Sequence, residues 1–520
     1  MSDNVIISNS NNKRIAKNTL LLYGRMLLLM AISLYTSRVL LQAIGVEDYG
    51  IYNVVGGVVA MFSIISSSLS AAIQRYITFE LGKSDEGDPQ KVFSTSINIQ
   101  LVLIILVLIL LETIGIWFLN YKMVIPNNRM VAANWVFQFS IITFCVNLWS
   151  IPYNACIIAH EKMSAFAYIS IIEAISKLAI CFLVKQSAVD RLMLYALLML
   201  IVGLVIRFLN GWYCKKNFSE CRYKAELDEG LLKEMFTFSG WNFLGATSSV
   251  LNTQGINLIL NVFFGPSVNA ARGIAVSLSN AVVGFANNFM VALNPQITKN
   301  YASCNFDYAY TLVFQGARLS YYILWILCLP IIITTPYLLQ LWLGEVPENA
   351  CIFTQLVLVY SLSEALGGPL ITLMLANGNI RNYQIVVGGL QLFNLPICYV
   401  VLKLGGAPYT VFIVGIALSI FSELARIIML CRMIPFPGLR FIKSVLLNVL
   451  LVSILSAIVP MLTYLKFGLE SFIDFVTLCI VSVICTTIVI YFGGCSKSER
   501  ILISSIVVNF CHKIINDDKN

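Results

Sequence analysis

Apolar runs of about 20 residues or more recur along this chain and constrain its fold more than any other feature. A helix of that length crosses the hydrocarbon core of a bilayer, whereas a strand of a membrane barrel needs only about 10 residues. Only 12% of the residues are charged and 58% are hydrophobic, so a soluble fold would expose too much apolar surface. In lipid the backbone must satisfy its own hydrogen bonds, which favours helices. The sequence therefore predicts an all-α membrane protein.

The breaks between apolar runs predict about fourteen transmembrane helices. Their predicted limits are 18–43, 51–79, 94–119, 130–159, 164–185, 190–214, 234–264, 268–297, 308–341, 351–377, 382–404, 408–432, 441–466 and 471–493. The seventh and eighth spans are the least hydrophobic. Lys and Arg are concentrated in the loops that share a side with the N-terminus, which predicts that both termini are cytoplasmic (N-in/C-in). This bias explains the net charge of +8, so the charge does not call for a nucleic-acid partner.

The two halves of the chain resemble each other weakly but in the same order. "IGVEDYGIYNVV" before span two corresponds to "FGPSVNAARGIA" before span eight, and "AIQRYIT" corresponds at the same offset to "ALNPQIT". Repeats of this kind are typical of transporters whose substrate lies between the halves. The predicted segments are a cytoplasmic N-terminus (1–17), an N-terminal six-helix bundle (18–214), a cytoplasmic inter-bundle loop (215–233), a C-terminal six-helix bundle (234–432), two additional transmembrane helices (433–494) and a cytoplasmic tail (495–520).

Polar residues recur at three- and four-residue spacing in the spans that open each half. The fullest stripes are Asn53, Gly56, Ser63, Ser67, Ser70 and Gln74 in span two, Asn242, Gly245, Ser249, Thr253, Asn257 and Asn261 in span seven, and Asn269, Gly273, Ser277, Asn280, Gly284 and Asn287 in span eight. Such stripes are typical of a wet cavity, but also of close helix packing through small residues. Their equivalent positions in the two halves favour a central cavity between two bundles.

Basic residues inside the spans indicate the charge of the cargo. Arg25 and Arg272 lie on or beside polar stripes, Arg38 lies near the outer end of span one, and Lys177 has Glu173 four residues earlier. A guanidinium binds phosphate oxygens through its planar fork, and neutral amides supply further hydrogen bonds. We therefore predict a bulky anionic cargo. The candidate substrate-binding residues are Arg25, Arg272, Arg38, Lys177, Asn53, Asn257 and Asn280.

Other site chemistry is not indicated. The chain has two histidines and no CxxC pair, so no metal site, cofactor or catalytic residue is predicted. The candidate coupling ion is sodium or a proton. The carboxylates Glu112, Glu173, Glu364 and Glu423 could bind such an ion, although pairing with a nearby cation, as between Glu423 and Arg426, is the simpler interpretation.

Three segments resemble polysaccharide-exporter flippases of the Wzx type. They are "VEDYGIYNVVGGVVAMFSIISSSLSAAIQRYITFELGK", "IPYNACIIAHEKMSAFAYISIIEAISKL" and "LLQLWLGEVPENA". The chain is thereby similar to the polysaccharide-transporter branch of the multidrug/oligosaccharidyl-lipid/polysaccharide exporter superfamily. The resemblance implies two bundles around a V-shaped cavity lined by spans one, two, seven and eight. It implies basic cavity residues that hold a diphosphate, for which Arg25 and Arg272 fit best by position.

The same resemblance implies a function and partners. An undecaprenyl-diphosphate oligosaccharide, such as an O-antigen, capsule or exopolysaccharide repeat unit, would be flipped by alternating access. It would pass from the cytoplasmic to the periplasmic leaflet of a bacterial inner membrane. The expected partners are the lipid-linked oligosaccharide, membrane lipids, and a polysaccharide polymerase with its chain-length regulator. The two additional helices would correspond to the pair that forms a lipid-tail groove in peptidoglycan-precursor flippases.

Other functions are open at this point. A multidrug exporter of the same fold would favour an acidic or aromatic cavity, whereas the stripes here carry Arg and Asn. A peptidoglycan-precursor (lipid II) exporter would share the fourteen spans. A membrane enzyme acting on lipid-linked sugars would need a sizeable outer loop or paired carboxylates near the surface, and no predicted outer loop is long. A purely structural partner of a polysaccharide-synthesis complex would not need the internal repeat. We therefore predict a transporter and not an enzyme.

Overall fold

The computed structural model describes residues 2–63, 69–70, 73–74, 76–77, 80–81, 87–160, 162–224, 229–302, 304–377, 381–496 and 499–500, and within them the regular structure is helical without a strand. The helices are α1 (Ser2–Ala60), α2 (Pro89–Leu110), α3 (Ile116–Tyr121), α4 (Met130–Ala159), α5 (Met163–Gln186), α6 (Arg191–Asn217), α7 (Glu229–Phe264), α8 (Pro266–Ala302), α9 (Phe306–Leu343), α10 (Ala350–Asn377), α11 (Arg381–Tyr383), α12 (Gly389–Leu392), α13 (Asn394–Lys403), α14 (Thr410–Met433), α15 (Gly438–Phe441), α16 (Leu447–Phe467) and α17 (Phe472–Val489).

Four π-helical turns continue these helices, and three of them join neighbours into longer rods. Leu111–Gly115 joins α2 to α3, Gln384–Gly388 joins α11 to α12, and Ile442–Leu446 joins α15 to α16, while Ile490–Gly494 follows α17. The helix ends of predicted spans three to fourteen lie within a few residues of their predicted limits, which is the usual uncertainty of such limits. Helix α1 differs, because it begins at Ser2 and continues to Ala60, whereas the predicted spans are 18–43 and 51–79, and residues 64–79 are only partly described. The prediction of an all-α membrane protein is confirmed.

Hydropathy identifies fewer membrane spans than the fourteen that are predicted from the sequence. Among the described residues, eleven helices are long and apolar enough to cross a membrane. The remaining predicted spans are the second, which continues α1, and the seventh and eighth, which correspond to α7 and α8. Only Val250–Phe264 of α7 forms a short apolar stretch. The low hydrophobicity predicted for these two spans is thus a property of the helices. The N-in/C-in orientation stays a prediction.

A glycine with positive φ breaks the helix at the same point of each half. Gly45 interrupts α1 with φ 82° and ψ 170°, and Gly265 separates α7 from α8 with φ 81°. A side chain at such a φ would approach the following carbonyl oxygen, so glycine is the residue that allows the break. The two glycines occupy the same place in the two aligned segments. The backbone geometry at this shared break therefore supports the internal repeat.

An arginine ties together three helix ends in the N-terminal half. Arg129, just before α4, donates to Asp48 of α1 through Nε at 2.8 Å and Nη2 at 2.5 Å. Its Nη1 donates to Asp190 at 2.6 Å, and Asp190 also caps α6 by accepting from the Met193 N–H. Burial alone would raise the pKa of Asp190, but the hydrogen bonds from Arg129 and Met193 hold that pKa below its ordinary value.

The chain divides into two compact units, each with its own core. Unit 1 comprises Met1–Ala281, Trp342–Phe353 and Gly388–Gly415, and unit 2 comprises Val282–Leu341, Thr354–Val387 and Ile416–Asn520. In unit 1, Ile51 and Val55 of α1 share an apolar core with Val136, Phe137 and Ile141 of α4. The bundle limits predicted from the sequence stay a prediction.

The core of unit 2 is formed by α9, α10 and α14, and α16 packs on α9 through polar side chains. Leu370 and Leu373 of α10 share a cluster with Ile427 and Leu430 of α14. The α9–α16 hydrogen bonds join Tyr321 to Ser453 at 2.9 Å, Tyr322 to Asn448 at 2.5 Å and Trp325 to Ser456 at 2.8 Å. Because lipid offers no hydrogen-bond partner, such pairs hold the additional helices in one register.

Replacing Gly50 with alanine should destabilise the fold, because α1 touches the start of α8 there. A Cβ at Gly50 would lie 1.9 Å from the Pro266 carbonyl oxygen, a backbone atom that cannot yield without a helix shift. We expect Gly50→Ala to cost about 1–3 kcal/mol and lower the melting temperature of the purified protein in detergent.

Gly56→Ala on the same helix is the matched control. A Cβ there meets nothing within 4 Å, so helix propensity alone acts and the melting temperature should be unchanged or raised. Equal melting temperatures for the two variants would contradict the close approach of α1 to α8.

Candidate functional site

A cavity of about 400 Å³ with a mixed polar and apolar lining lies within unit 1, between α1, α5 and α6. Both sides of the Gly45 break contribute to it, Arg25 and Thr36 from before the break and Asn53 from after it. Lys177 of α5 and Tyr195 of α6 line the cavity from the other two helices. The cavity therefore brings together three of the seven predicted site residues, Arg25, Lys177 and Asn53.

Arg25 is held in the cavity wall by two contacts from α5. Its Nη2 donates to the Ser170 hydroxyl at 2.9 Å, and its guanidinium carbon lies 4.6 Å from the centre of the Phe166 ring. The Nε of Arg25 is buried and makes no hydrogen bond in the described part of the protein. Stacking orients the guanidinium plane, so Arg25 presents a cation of fixed direction rather than a free side chain.

The cavity has more positive than negative formal charge. Lys177 Nζ lies 2.6 Å from Glu173 Oε1, and the two side chains are 38% and 39% exposed. With Arg25, the lining residues supply two cations and one carboxylate. Since Glu173 is already paired, a cavity ligand meets a net positive field, which favours an anion.

The neutral part of the lining combines aromatic and hydroxyl groups with the aliphatic side chains of Leu29, Ile32, Leu40 and Ala174. The rings of Tyr52 and Tyr195 meet edge to face at 4.9 Å, and Tyr49 is 5% exposed. Thr36 and Ser37 donate to main-chain carbonyls one turn earlier in α1, at 2.7 Å and 3.0 Å, which leaves the hydroxyl oxygens as acceptors. Such a lining can accept and donate hydrogen bonds to a polyhydroxyl ligand.

Asn257 belongs to a buried amide network that joins three helices of unit 1. Its Nδ2 donates to the Asn53 carbonyl oxygen at 3.1 Å, and its Oδ1 accepts from Asn269 Nδ2 at 2.8 Å. Asn257 is 4% exposed and Asn269 is fully buried. The Asn53 amide itself donates to the Tyr49 carbonyl at 2.8 Å. The polar stripes at these positions therefore contribute to helix packing, and Asn53 also lines the cavity.

Arg272 is buried beside this network but does not line the cavity. It is 8% exposed, and its Nη2 donates to the Thr253 carbonyl oxygen of α7 at 2.6 Å. No carboxylate of the described residues pairs with it. A guanidinium held by a main-chain carbonyl fastens α8 to α7, and its role toward a ligand stays a prediction.

The remaining predicted residues lie elsewhere. Arg38 is half-buried and Asn280 is exposed, and neither lines the cavity. The side chains of Ser67, Asn242 and Ser249 lie outside the described residues. The cavity is lined by α1, α5 and α6, so a cavity between two bundles, lined also by α7 and α8, stays a prediction.

The sequence predicted Lys177 on the α5 side of the cavity but not its neighbours Ser170 and Ala174. Ser170, Glu173, Ala174 and Lys177 recur at i, i+3, i+4 and i+7 and all line the cavity. This helical spacing is the signal in the sequence that could have identified the whole α5 face. Among the described residues no group of three or more His, Cys, Asp and Glu is placed to hold a metal ion.

Solved structures similar to this one define its class. The inward closed conformation of the lipid II flippase MurJ has a TM-score of 0.71 at 14% identity, covering 91% of this chain and 98% of that one. An inward-facing multidrug resistance MATE transporter has a TM-score of 0.63 at 12% identity, covering 79% and 95%. A MOP superfamily transporter from Pyrococcus furiosus has a TM-score of 0.53 at 12% identity, covering 80% and 96%. The chain has the fold of a MOP-type membrane transporter.

The family follows from the sequence match. A family model described as polysaccharide biosynthesis protein matches residues 15–301, more than half of the chain. The chain belongs to this polysaccharide biosynthesis family, which confirms the resemblance found in the sequence. No curated protein matches the chain.

Removing the Asn257 amide should loosen unit 1. Asn257→Leu keeps a side chain of similar size but deletes the donor to Asn53 and the acceptor for Asn269. We expect a loss of about 1–3 kcal/mol, seen as a lower melting temperature in detergent. Asn280→Leu on α8 is the matched control, since that side chain is exposed, and it should melt like the wild type. An unchanged Asn257→Leu protein would show that the amide network adds no stability.

Proposed function

We propose that this protein flips an undecaprenyl-diphosphate-linked oligosaccharide, such as an O-antigen, capsule or exopolysaccharide repeat unit, across the bacterial inner membrane. Two findings support a flippase over other members of the class. The family is one of polysaccharide biosynthesis, and a lipid II flippase has the same fold along nearly the whole chain. A cargo in which sugars are attached to a lipid diphosphate is consistent with both findings.

The observation that carries this proposal is the net positive cavity of unit 1. Arg25 supplies an oriented guanidinium and Lys177 an ammonium, against the single carboxylate of Glu173. A diphosphate needs such groups because leaving water deprives its oxygens of hydration. A volume of about 400 Å³ suits a headgroup rather than a whole oligosaccharide.

The position of Arg25 fits the direction of transport. Arg25 lies in the half of span one nearer the N-terminus, which the Lys and Arg bias predicts to be cytoplasmic. The diphosphate would then enter from the leaflet on which repeat units are assembled. Release in the periplasmic leaflet, where a polymerase and its chain-length regulator are the proposed partners, would follow by alternating access.

The same cavity weighs against drug export. A cationic drug would be repelled by Arg25 and Lys177, and Glu173 is not free to neutralise it. Export of lipid II remains the second candidate, since its diphosphate is the same and the MurJ fold is shared. The glycan therefore distinguishes these two cargoes, and the diphosphate does not.

The leaflet occupied by the cargo tests the proposed function. In a strain lacking this protein, radiolabelled undecaprenyl-diphosphate repeat units should accumulate in the cytoplasmic leaflet, and re-expression should restore their exposure outside. A block in lipid II exposure instead would favour the peptidoglycan-precursor exporter. Units that reach the periplasmic leaflet but stay unpolymerised would contradict transport and favour an enzyme.

Loss of the Arg25 charge should weaken diphosphate binding. We expect Arg25→Gln to lower the affinity of the purified protein in nanodiscs for undecaprenyl diphosphate by on the order of tenfold to a hundredfold, because a charge-assisted hydrogen bond contributes about 1.5–3 kcal/mol. Arg38→Gln on the same helix is the matched control and should bind like the wild type, since Arg38 does not line the cavity. An equal loss of affinity in both variants would show that the cavity is not the binding site.

A further inference from the structure

A second charged cluster lies in the interior of unit 2, where two carboxylates surround one guanidinium. Arg426 of α14 has a side chain 2% exposed, and its Nη1 lies 3.0 Å from Oε2 of Glu423, which is 7% exposed. Its Nη2 lies 3.9 Å from Oε2 of Glu364 on α10. The local pair expected from the sequence is therefore part of a three-residue cluster that spans two helices.

The pair on α14 sits directly against the backbone of α10. A Cβ at Gly367 would lie 2.4 Å from Arg426 Nη1 and 2.9 Å from Glu423 Oε2. Leu370 of α10 and Ile427 of α14 belong to the apolar core next to it. These surroundings exclude water from the Arg426–Glu423 pair, so the charges of that pair are weakly screened.

The cluster holds one negative charge too many. An arginine side chain stays protonated, so two ionised carboxylates around Arg426 would leave a net charge of −1 in the core of unit 2. Oε1 of Glu423 is buried and accepts no hydrogen bond in the described part of the chain. An isolated buried carboxylate oxygen is costly, and binding one proton removes both the excess charge and most of that cost.

Glu364 is the more accessible carboxylate. Its side chain is 29% exposed, and its Oε1 accepts from the Ser419 hydroxyl at 2.5 Å. Among the described residues, the other titratable groups facing the cluster are the phenols of Tyr360 on α10 and Tyr383 on α11. Both are neutral near pH 7, so no further cation balances the second carboxylate.

We propose that Glu364, Glu423 and Arg426 form a site that binds one proton reversibly. The proton comes from water, reaches the cluster at its exposed edge beside Glu364 and binds Glu423. With Glu423 protonated, Arg426 pairs with Glu364 and links α14 to α10. With Glu423 ionised, Arg426 pairs within α14 and that link weakens. Proton occupancy thus changes how the two helices are joined, and no other reactant is needed.

This site supplies a proton as the coupling ion of the transport cycle, and that statement alone rests on the proposed function. Proton binding itself does not depend on which lipid is carried. If repeat units are exported normally but no proton binds, the proton site is contradicted and the flippase proposal stands. If the proton binds but the protein flips no lipid, the flippase proposal is contradicted and the proton site stands.

Infrared difference spectroscopy on the full-length protein in nanodiscs tests the proposal. Between about pH 9 and about pH 5, solvent-exposed Glu side chains, whose pKa is about 4.3, stay mostly ionised. A protonated carboxylic acid shielded from water also has a carbonyl stretch at higher frequency than an exposed one. We expect the wild type to gain this shielded band on acidification. The absence of the band in the wild type would overturn the proposal without any variant.

Two isosteric substitutions assign the band. Glu423→Gln and Glu364→Gln each leave one carboxylate for one guanidinium, so each should lose the shielded band. Glu499→Gln is the matched control, because Glu499 forms a partly buried one-to-one pair with Arg318 at 2.8 Å and needs no proton. It should keep the band. Persistence of the band in either cluster variant, or its loss in Glu499→Gln, would overturn the shared site.

Discussion

The hydrogen-bonding demand of buried polar groups is the constraint on which this structure depends. Lipid supplies no donors or acceptors, so an amide, hydroxyl or charge within the spans is stabilised chiefly by another part of the chain, and the few left without a partner are costly. Asn257 meets this demand by joining α1, α7 and α8, and Trp325 does so by joining α9 to α16. The apolar surface decides that the helices enter the membrane, whereas these few polar contacts decide which helix meets which.

The balance of cations and carboxylates differs among the charged clusters of the described residues. Arg318 and Glu499 match one to one, which is the composition of a structural pair. The cavity of unit 1 has an excess cation, whereas the clusters around Arg129 and Arg426 each have an excess carboxylate. The side chains around Arg129 are 16–25% exposed, but those of Glu423 and Arg426 are 7% and 2% exposed, so only the second cluster holds weakly screened charge. The proposed ligands follow from this balance: an anion for the cavity and a proton for the cluster at Arg426.

Local sequence predicted most of the fold and part of the site. Apolar length placed the helices, and the repeat placed glycines at equivalent breaks, Gly45 and Gly265. At about 100° per residue, Arg25 and Arg38 lie on different sides of α1, and only Arg25 lines the cavity. Periodicity cannot predict which helix packs against each face of another helix. Tyr195 reaches Tyr52 from a helix more than a hundred positions away, and that proximity arises from tertiary packing.

The break at Gly45 also restricts how the length of this chain can vary. Arg25 and Thr36 reach the cavity from one side of the break, and Tyr49, Tyr52 and Asn53 from the other. One residue inserted between Gly45 and Tyr49 would turn the second set by about 100° and move it away from the first. The cavity therefore depends on the spacing of this short connection as strictly as on its residue types. Homologues that retain the cavity should keep this spacing unchanged even where their sequences have diverged.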